Sequence, residues 1–206
     1  MIVSMKYAFA FVHVPKTGGT SIRHALKGIG RSGIDSRVIH GTQYQHRSLQ
    51  LAYDSLHPSI FNALHKFAFI RDPWDYVASF FLYTERHNRL PKRNMSFKQW
   101  VLEPDPIKSV LQHKYCPHTV PVTRTPQLSF LTVNGGVQTD FIGKFERLEE
   151  DLRAVWRYLN LPGSPDLPRN NSNPNQTNYR EMYDSETRDH VAHYFAPDIE
   201  YFNYSF

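Results

Sequence analysis

Apolar residues fall along this chain in short blocks whose lengths and periods separate strands from helices. Residues 8–14 form a short apolar run, broken only by His13, rich in aromatic and β-branched side chains and closed by Pro15, which predicts a strand buried on both faces. Residues 21–27 then have helical character, with Gly28 and Gly30 as a C-terminal stop. A second short strand is expected over 37–40 and a helix over 49–56. Residues 66–70 predict a clearer strand. Asp72-Pro73-Trp74-Asp75 follows as an N-cap, a proline at the first helical position and an acid at the third, so a helix is expected over 73–84.

Further along, Ser96 and Gln99 have capping-box spacing and open a helix toward Leu102. Residues 103–126 are proline-rich and read as irregular. Residues 141–145 predict a strand, and Leu148, Leu152, Val155, Trp156 and Leu159 follow at helical spacing, a stripe that belongs to the core. Residues 162–178 carry many Pro, Asn and Ser and predict a long surface loop, with a last helix over 185–195. Strands alternating with helices, without repeats or heptads, predict one α/β domain over 1–206: a P-loop-like three-layer fold with a mainly parallel central sheet flanked by helices.

Composition narrows the class. With 206 residues, 40% apolar and 21% charged, the chain is long enough for one buried core and is expected to be ordered over most of its length. The net charge of +5 points to anionic partners, but no nucleic-acid recognition motif accompanies it. The single cysteine, Cys116, permits no internal disulfide and reads as a structural thiol. The N-terminus lacks a secretory-signal pattern, and no apolar run approaches the ~20 residues of a membrane-spanning helix. The chain as written is therefore expected to be cytoplasmic, an expectation that lapses if an N-terminal anchor has been removed.

Chemistry concentrates at two strand-to-helix junctions. In the first, Pro15-Lys16-Thr17-Gly18-Gly19-Thr20-Ser21 joins the first strand to a helix start. Such a loop presents backbone N–H groups to an anion, its glycines let a phosphate approach, and the helix dipole favours negative charge. Thr17, Thr20 and Ser21 add hydroxyls and Lys16 an ammonium. A structural glycine turn is the competing reading. Because Lys16 precedes the glycines, the loop departs from the nucleotide-triphosphate motif, and kinase or ATPase chemistry loses support.

The second junction places Arg71 at a strand end and Ser79 two turns into the following helix. A forked guanidinium suits a phosphate; alternatively Arg71 pairs with Asp72 or Asp75 and Ser79 is a small packing residue.

The two motifs in this order resemble those of the sulfotransferases that use 3′-phosphoadenosine 5′-phosphosulfate (PAPS), particularly the carbohydrate-directed branch that includes heparan sulfate 2-O-sulfotransferase and its bacterial relatives. The resemblance extends to residues 141–152 and 183–188. It implies that Lys16 stabilises the sulfuryl group and bridging oxygen, that Pro15, Thr17, Gly18, Gly19, Thr20 and Ser21 surround the 5′-phosphate, and that Arg71 and Ser79 hold the 3′-phosphate. Asn171 and Ser172 sit where a loop closes over the cofactor in that family, with Arg169 an equally good anion contact. A hydroxyl-bearing acceptor, carried on a glycan, is the implied partner.

Transfer to a hydroxyl calls for a base, and neutral histidine suits it. Of eleven histidines, His46 lies where the carbohydrate sulfotransferases carry theirs; His40, at the end of a candidate strand, is the alternative, and His13 reads as a core residue. Histidine spacing indicates no metal site, and His113, Cys116 and His118 are too sparse for zinc. The basic cluster over 86–93 reads as a solvated helix end, or else as a contact for an acidic acceptor. A non-catalytic anion- or glycan-binding module on the same fold is the competing function.

Overall fold

The computed structural model describes residues 1–27, 46–90, 94–103, 125–167 and 178–206. In chain order these form β1 (Ile2–Ser4), β2 (Phe9–Val12), α1 (Gly19–Lys27), α2 (Leu49–Ser55), α3 (Pro58–Ala63), β3 (His65–Ile70), α4 (Pro73–Arg86) and α5 (Phe97–Leu102). There follow β4 (Thr132–Val133), β5 (Gly136–Val137), β6 (Phe141–Lys144), α6 (Leu148–Tyr158), α7 (Ser185–Tyr194) and α8 (Ala196–Phe202). The expected strand over 37–40 lies outside the described residues. The chain folds into two compact units, one from residues 1–70 and 128–171, the other from 71–127 and 172–206.

The first unit is mixed α/β around a mostly parallel sheet. Its strand order is β1-β2-β3-β6, with β2, β3 and β6 parallel and β1 an antiparallel edge. Alternation along the strands puts Phe9, Phe11, Phe67 and Phe69 on one face, where they pack with Ile22, Ala25 and Leu26 of α1 and Leu152, Val155 and Trp156 of α6. Phe11 and Phe67 lie in register, their rings stacked 5.2 Å apart. Each fully buried phenyl contributes roughly 2 kcal/mol, so this face anchors both helices. The stripe read from the sequence as core is core: Leu152, Val155 and Trp156 are buried.

The second unit is helical, and its caps are those the sequence encodes. The Asp72 carboxylate accepts from the N–H groups of Trp74 and Asp75, each at 3.0 Å, with Pro73 opening α4. Ser96 and Gln99 form the reciprocal capping box of α5. Lys98 reaches Asp184 at 2.7 Å and Glu186 at 2.6 Å, tying α5 to α7. The Trp74 indole donates to the Arg188 carbonyl at 3.0 Å, and the Tyr183 hydroxyl donates to the Trp74 carbonyl at 2.8 Å. Among the described residues, no helix is long and apolar enough to cross a membrane.

Five of these elements were not anticipated. β1 has three residues, too few to display a period. α3 and α8 are single short helices of six and seven residues. The β4–β5 hairpin carried an unread signal: Asn134 and Gly135 both adopt positive φ, 51° and 81°, as an Asn-Gly hairpin turn requires.

Candidate active site

The lysine loop lies between β2 and α1. Lys16 holds φ at 60° and Gly18 at 78°. For lysine this left-handed conformation costs on the order of 1 kcal/mol, an expense typical of loops that position a functional group. Thr17 is fully buried and its hydroxyl donates to the Val14 carbonyl at 2.9 Å, which closes the turn. The Gly18 carbonyl accepts from the N–H groups of Ser21 at 3.0 Å and Ile22 at 3.1 Å, so Gly18 caps α1. A helix has no internal acceptors for its first N–H groups. The first turn of α1 also carries no acidic side chain, so its positive end keeps its full pull on an anion. Lys16 and Ser21 are half-buried and Thr20 is exposed.

The two glycines have different causes. A Cβ on Gly18 would come within 2.7 Å of Leu148 Cδ2, and φ there is positive. A Cβ on Gly19 would lie 1.9 Å from both Cδ2 and Nε2 of His13. His13 continues the Phe9–Phe11 face one step beyond β2, its ring stacked on Phe11 at 5.7 Å. Gly19 is therefore bare because the His13 ring fills the space beneath α1.

His13 also sets His46. The rings are 4.3 Å apart, inclined by 58°, and His46 Nδ1 lies 3.0 Å from the His13 carbonyl oxygen. A carbonyl only accepts, so Nδ1 carries the proton and, in the neutral ring, Nε2 holds the lone pair. Burial pushes His46 down to about 4; the hydrogen bond to His13 opposes this, while the Met1 amino group, Arg23 and Lys16 add to it. Burial holds His13 well below the ordinary range as well, helped by His46. His13 is buried and, among the described residues, its Nδ1 has no hydrogen-bond partner. The first unit thus brings Lys16, the N-terminus of α1 and a neutral His46 together.

The second junction is described by itself. Arg71 is buried, and its Nε and Nη2 donate to the two Asp75 oxygens at 2.7 and 2.8 Å, the Asp75 pairing the sequence allowed. Asp75 and Ser79, four residues apart, share a face of α4, and Ser79 is half-buried. Gln127, absent from the sequence reading, brackets the Arg71 backbone: Arg71 N–H donates to its Oε1 at 2.9 Å, and its Nε2 donates to the Arg71 carbonyl at 2.7 Å. Asp198 of α8 in turn accepts from the Gln127 N–H at 2.7 Å. Nothing local marks a lone glutamine as an arginine's partner.

His40, Arg169, Asn171 and Ser172 lie outside the described residues, as do His113, Cys116 and His118. Among the described residues, no three His, Cys, Asp or Glu side chains are grouped to hold a metal. Arg86, His87 and Arg89 are exposed at the end of α4, with 91–93 outside the described residues.

The first unit thus joins a mostly parallel sheet, a lysine-bearing strand-to-helix loop and a histidine whose basicity is depressed. The sulfotransferase family model matches residues 1–205, and the chain belongs to that family. It is also similar, at 31% identity over 123 residues, to an uncharacterized protein of Archaeoglobus fulgidus, covering 60% of this chain and 88% of the relative. No solved structure matches the chain.

Proposed function

We propose that this sulfotransferase moves a sulfuryl group from PAPS to a hydroxyl of a carbohydrate acceptor, with the P-loop-like junction at Lys16 as its centre and His46 as the base. One observation carries the reading: Lys16, held at a positive φ, leads into a helix N-terminus left without acidic side chains in its first turn. The residues present suit the donor. The N–H groups at the start of α1, with Thr20 and Ser21, would hold the 5′-phosphate, and Lys16 the transferring group. Arg71 and Ser79 would hold the 3′-phosphate. When bound, PAPS supplies the sulfuryl group and a phosphate leaving group.

What the protein contributes is position and charge. Lys16 neutralises charge that grows on the leaving oxygen. The His46 Nδ1–H is anchored on the His13 carbonyl, so Nε2 is the nitrogen that takes the acceptor's proton. A depressed basicity is a poor match to a base working near neutrality, but anionic charge beside Lys16 would raise it again. The positive charge comes from Lys16 and the helix N-terminus, and the reading assigns no role to a metal.

Incubation with radiolabelled PAPS and a panel of glycans is expected to give labelled product, lost in Lys16→Ala and strongly reduced in His46→Ala. Cofactor binding without transfer to any hydroxyl acceptor would instead favour a non-catalytic binding module.

A further inference from the structure

At the end of β3 the sheet stops supplying partners. The ladder to β2 runs as far as Val12 with Ala68, and that to β6 as far as Ile70 with Lys144. Arg71, the next residue, is 8% exposed, and a buried backbone group left unbonded costs about 1–3 kcal/mol. The Gln127 carboxamide takes the place of a strand, accepting from the Arg71 N–H and donating to its carbonyl.

The carboxamide has one possible orientation. Its oxygen must meet the Arg71 N–H and its nitrogen the Arg71 carbonyl. The Asp198 carboxylate, which in its ionised form only accepts, lies 3.3 Å from that same nitrogen and 2.7 Å from the Gln127 N–H. Gln127 and Asp198 are both fully buried, so no water competes for these bonds. Gln127 fixes where the Arg71 side chain leaves the backbone, and the two-point pairing with Asp75 fixes how its plane is turned.

We propose that Gln127, held by Asp198, is a positioning residue that presets Arg71 as the receptor for the 3′-phosphate. The proposal rests on the reading above that Arg71 binds that phosphate. A guanidinium held in place beforehand binds without first ordering itself, which raises affinity for the group it meets. A clamp with a merely structural role would lower stability and weaken all ligands alike.

The test compares adenosine 3′,5′-bisphosphate with 5′-AMP, which lacks the 3′-phosphate, by calorimetry on the full chain. Thermal unfolding of each variant is recorded separately. Wild type is expected to favour the bisphosphate, and Arg71→Ala to remove that preference. Gln127→Met is expected to weaken the bisphosphate about tenfold while 5′-AMP stays within about twofold. Asp198→Asn, a near-isosteric change that serves if Gln127→Met does not fold, is expected to lose about threefold in the same selective way. If Arg71→Ala removes the preference but the folded Gln127 or Asp198 variants keep it, the positioning role is overturned and the Arg71 reading stands. If Arg71→Ala leaves the preference intact, both fall.

Discussion

His46 donates its Nδ1 proton to the backbone carbonyl of His13, 3.0 Å away, and the two rings lie 4.3 Å apart. Through this pair the end of β2 governs the tautomer of the candidate base. Through the His13 ring it also governs the spacing of the lysine loop, where Gly19 has no room for a Cβ.

The pair makes stability pH-dependent. In the unfolded chain both histidines regain the ordinary value of 6.5, whereas in the fold His46 sits near 4 and His13 well below normal. Between these values the unfolded chain binds more protons, so stability is complete above 6.5 and falls as pH drops toward 4. His46 alone accounts for at most about 3 kcal/mol over that window. Urea unfolding midpoints at pH 7.5 and pH 5 should differ, and by less in His46→Asn; midpoints that coincide in wild type would rule out a pair held neutral by the fold.

Ligand charge should act on the same ring. An anion held beside Lys16 offsets the positive charges that depress His46, so adenosine 3′,5′-bisphosphate is expected to raise its pKa by about one unit or more. Nitrogen-15 NMR of the imidazole reads both the shift and the tautomer. An Nε2–H signal in place of Nδ1–H would contradict the assignment of the base nitrogen.

Gly19→Ala tests the packing beneath α1. The new methyl overlaps the His13 ring, so a loss of about 1–3 kcal/mol is expected in denaturant unfolding. Gly19→Ala combined with His13→Ala should be more stable than the sum of the two single changes predicts, by at least about 0.5 kcal/mol. Strict additivity would show that His13 is not what excludes a side chain at 19.

Lys16→Gly separates strain from function. Glycine adopts the positive φ of 60° at this position without cost, so the variant should be as stable as wild type or up to about 1 kcal/mol more so. With the role proposed for Lys16, sulfuryl transfer should fall by about a hundredfold or more, because the charge assigned to the leaving oxygen is gone. An active Lys16→Gly protein would remove Lys16 from the mechanism.

Much of the scaffold is written locally. Asp72 with Pro73, and Ser96 with Gln99, cap their own helices within three residues, and the apolar runs of β2, β3 and β6 fall where strands form. Such signals are readable because their partners are near in sequence. The short β1, α3 and α8 escaped because elements of three to seven residues show no period, and the Asn134-Gly135 turn was visible but not read.

By itself the sequence determined the two junctions, the Lys16 loop and the Arg71–Ser79 helix start, together with the sulfotransferase character they signal, since each motif is contiguous. Tertiary structure alone decided what surrounds them. It set His46 against His13 across 33 residues, made Gly19 a consequence of the His13 ring, and bracketed Arg71 with Gln127, 56 residues away, on a buried aspartate a further 71 residues on. The physical reason is that a buried polar group must be satisfied by whatever the fold brings within about 3 Å, and that neighbour leaves no mark in the local pattern.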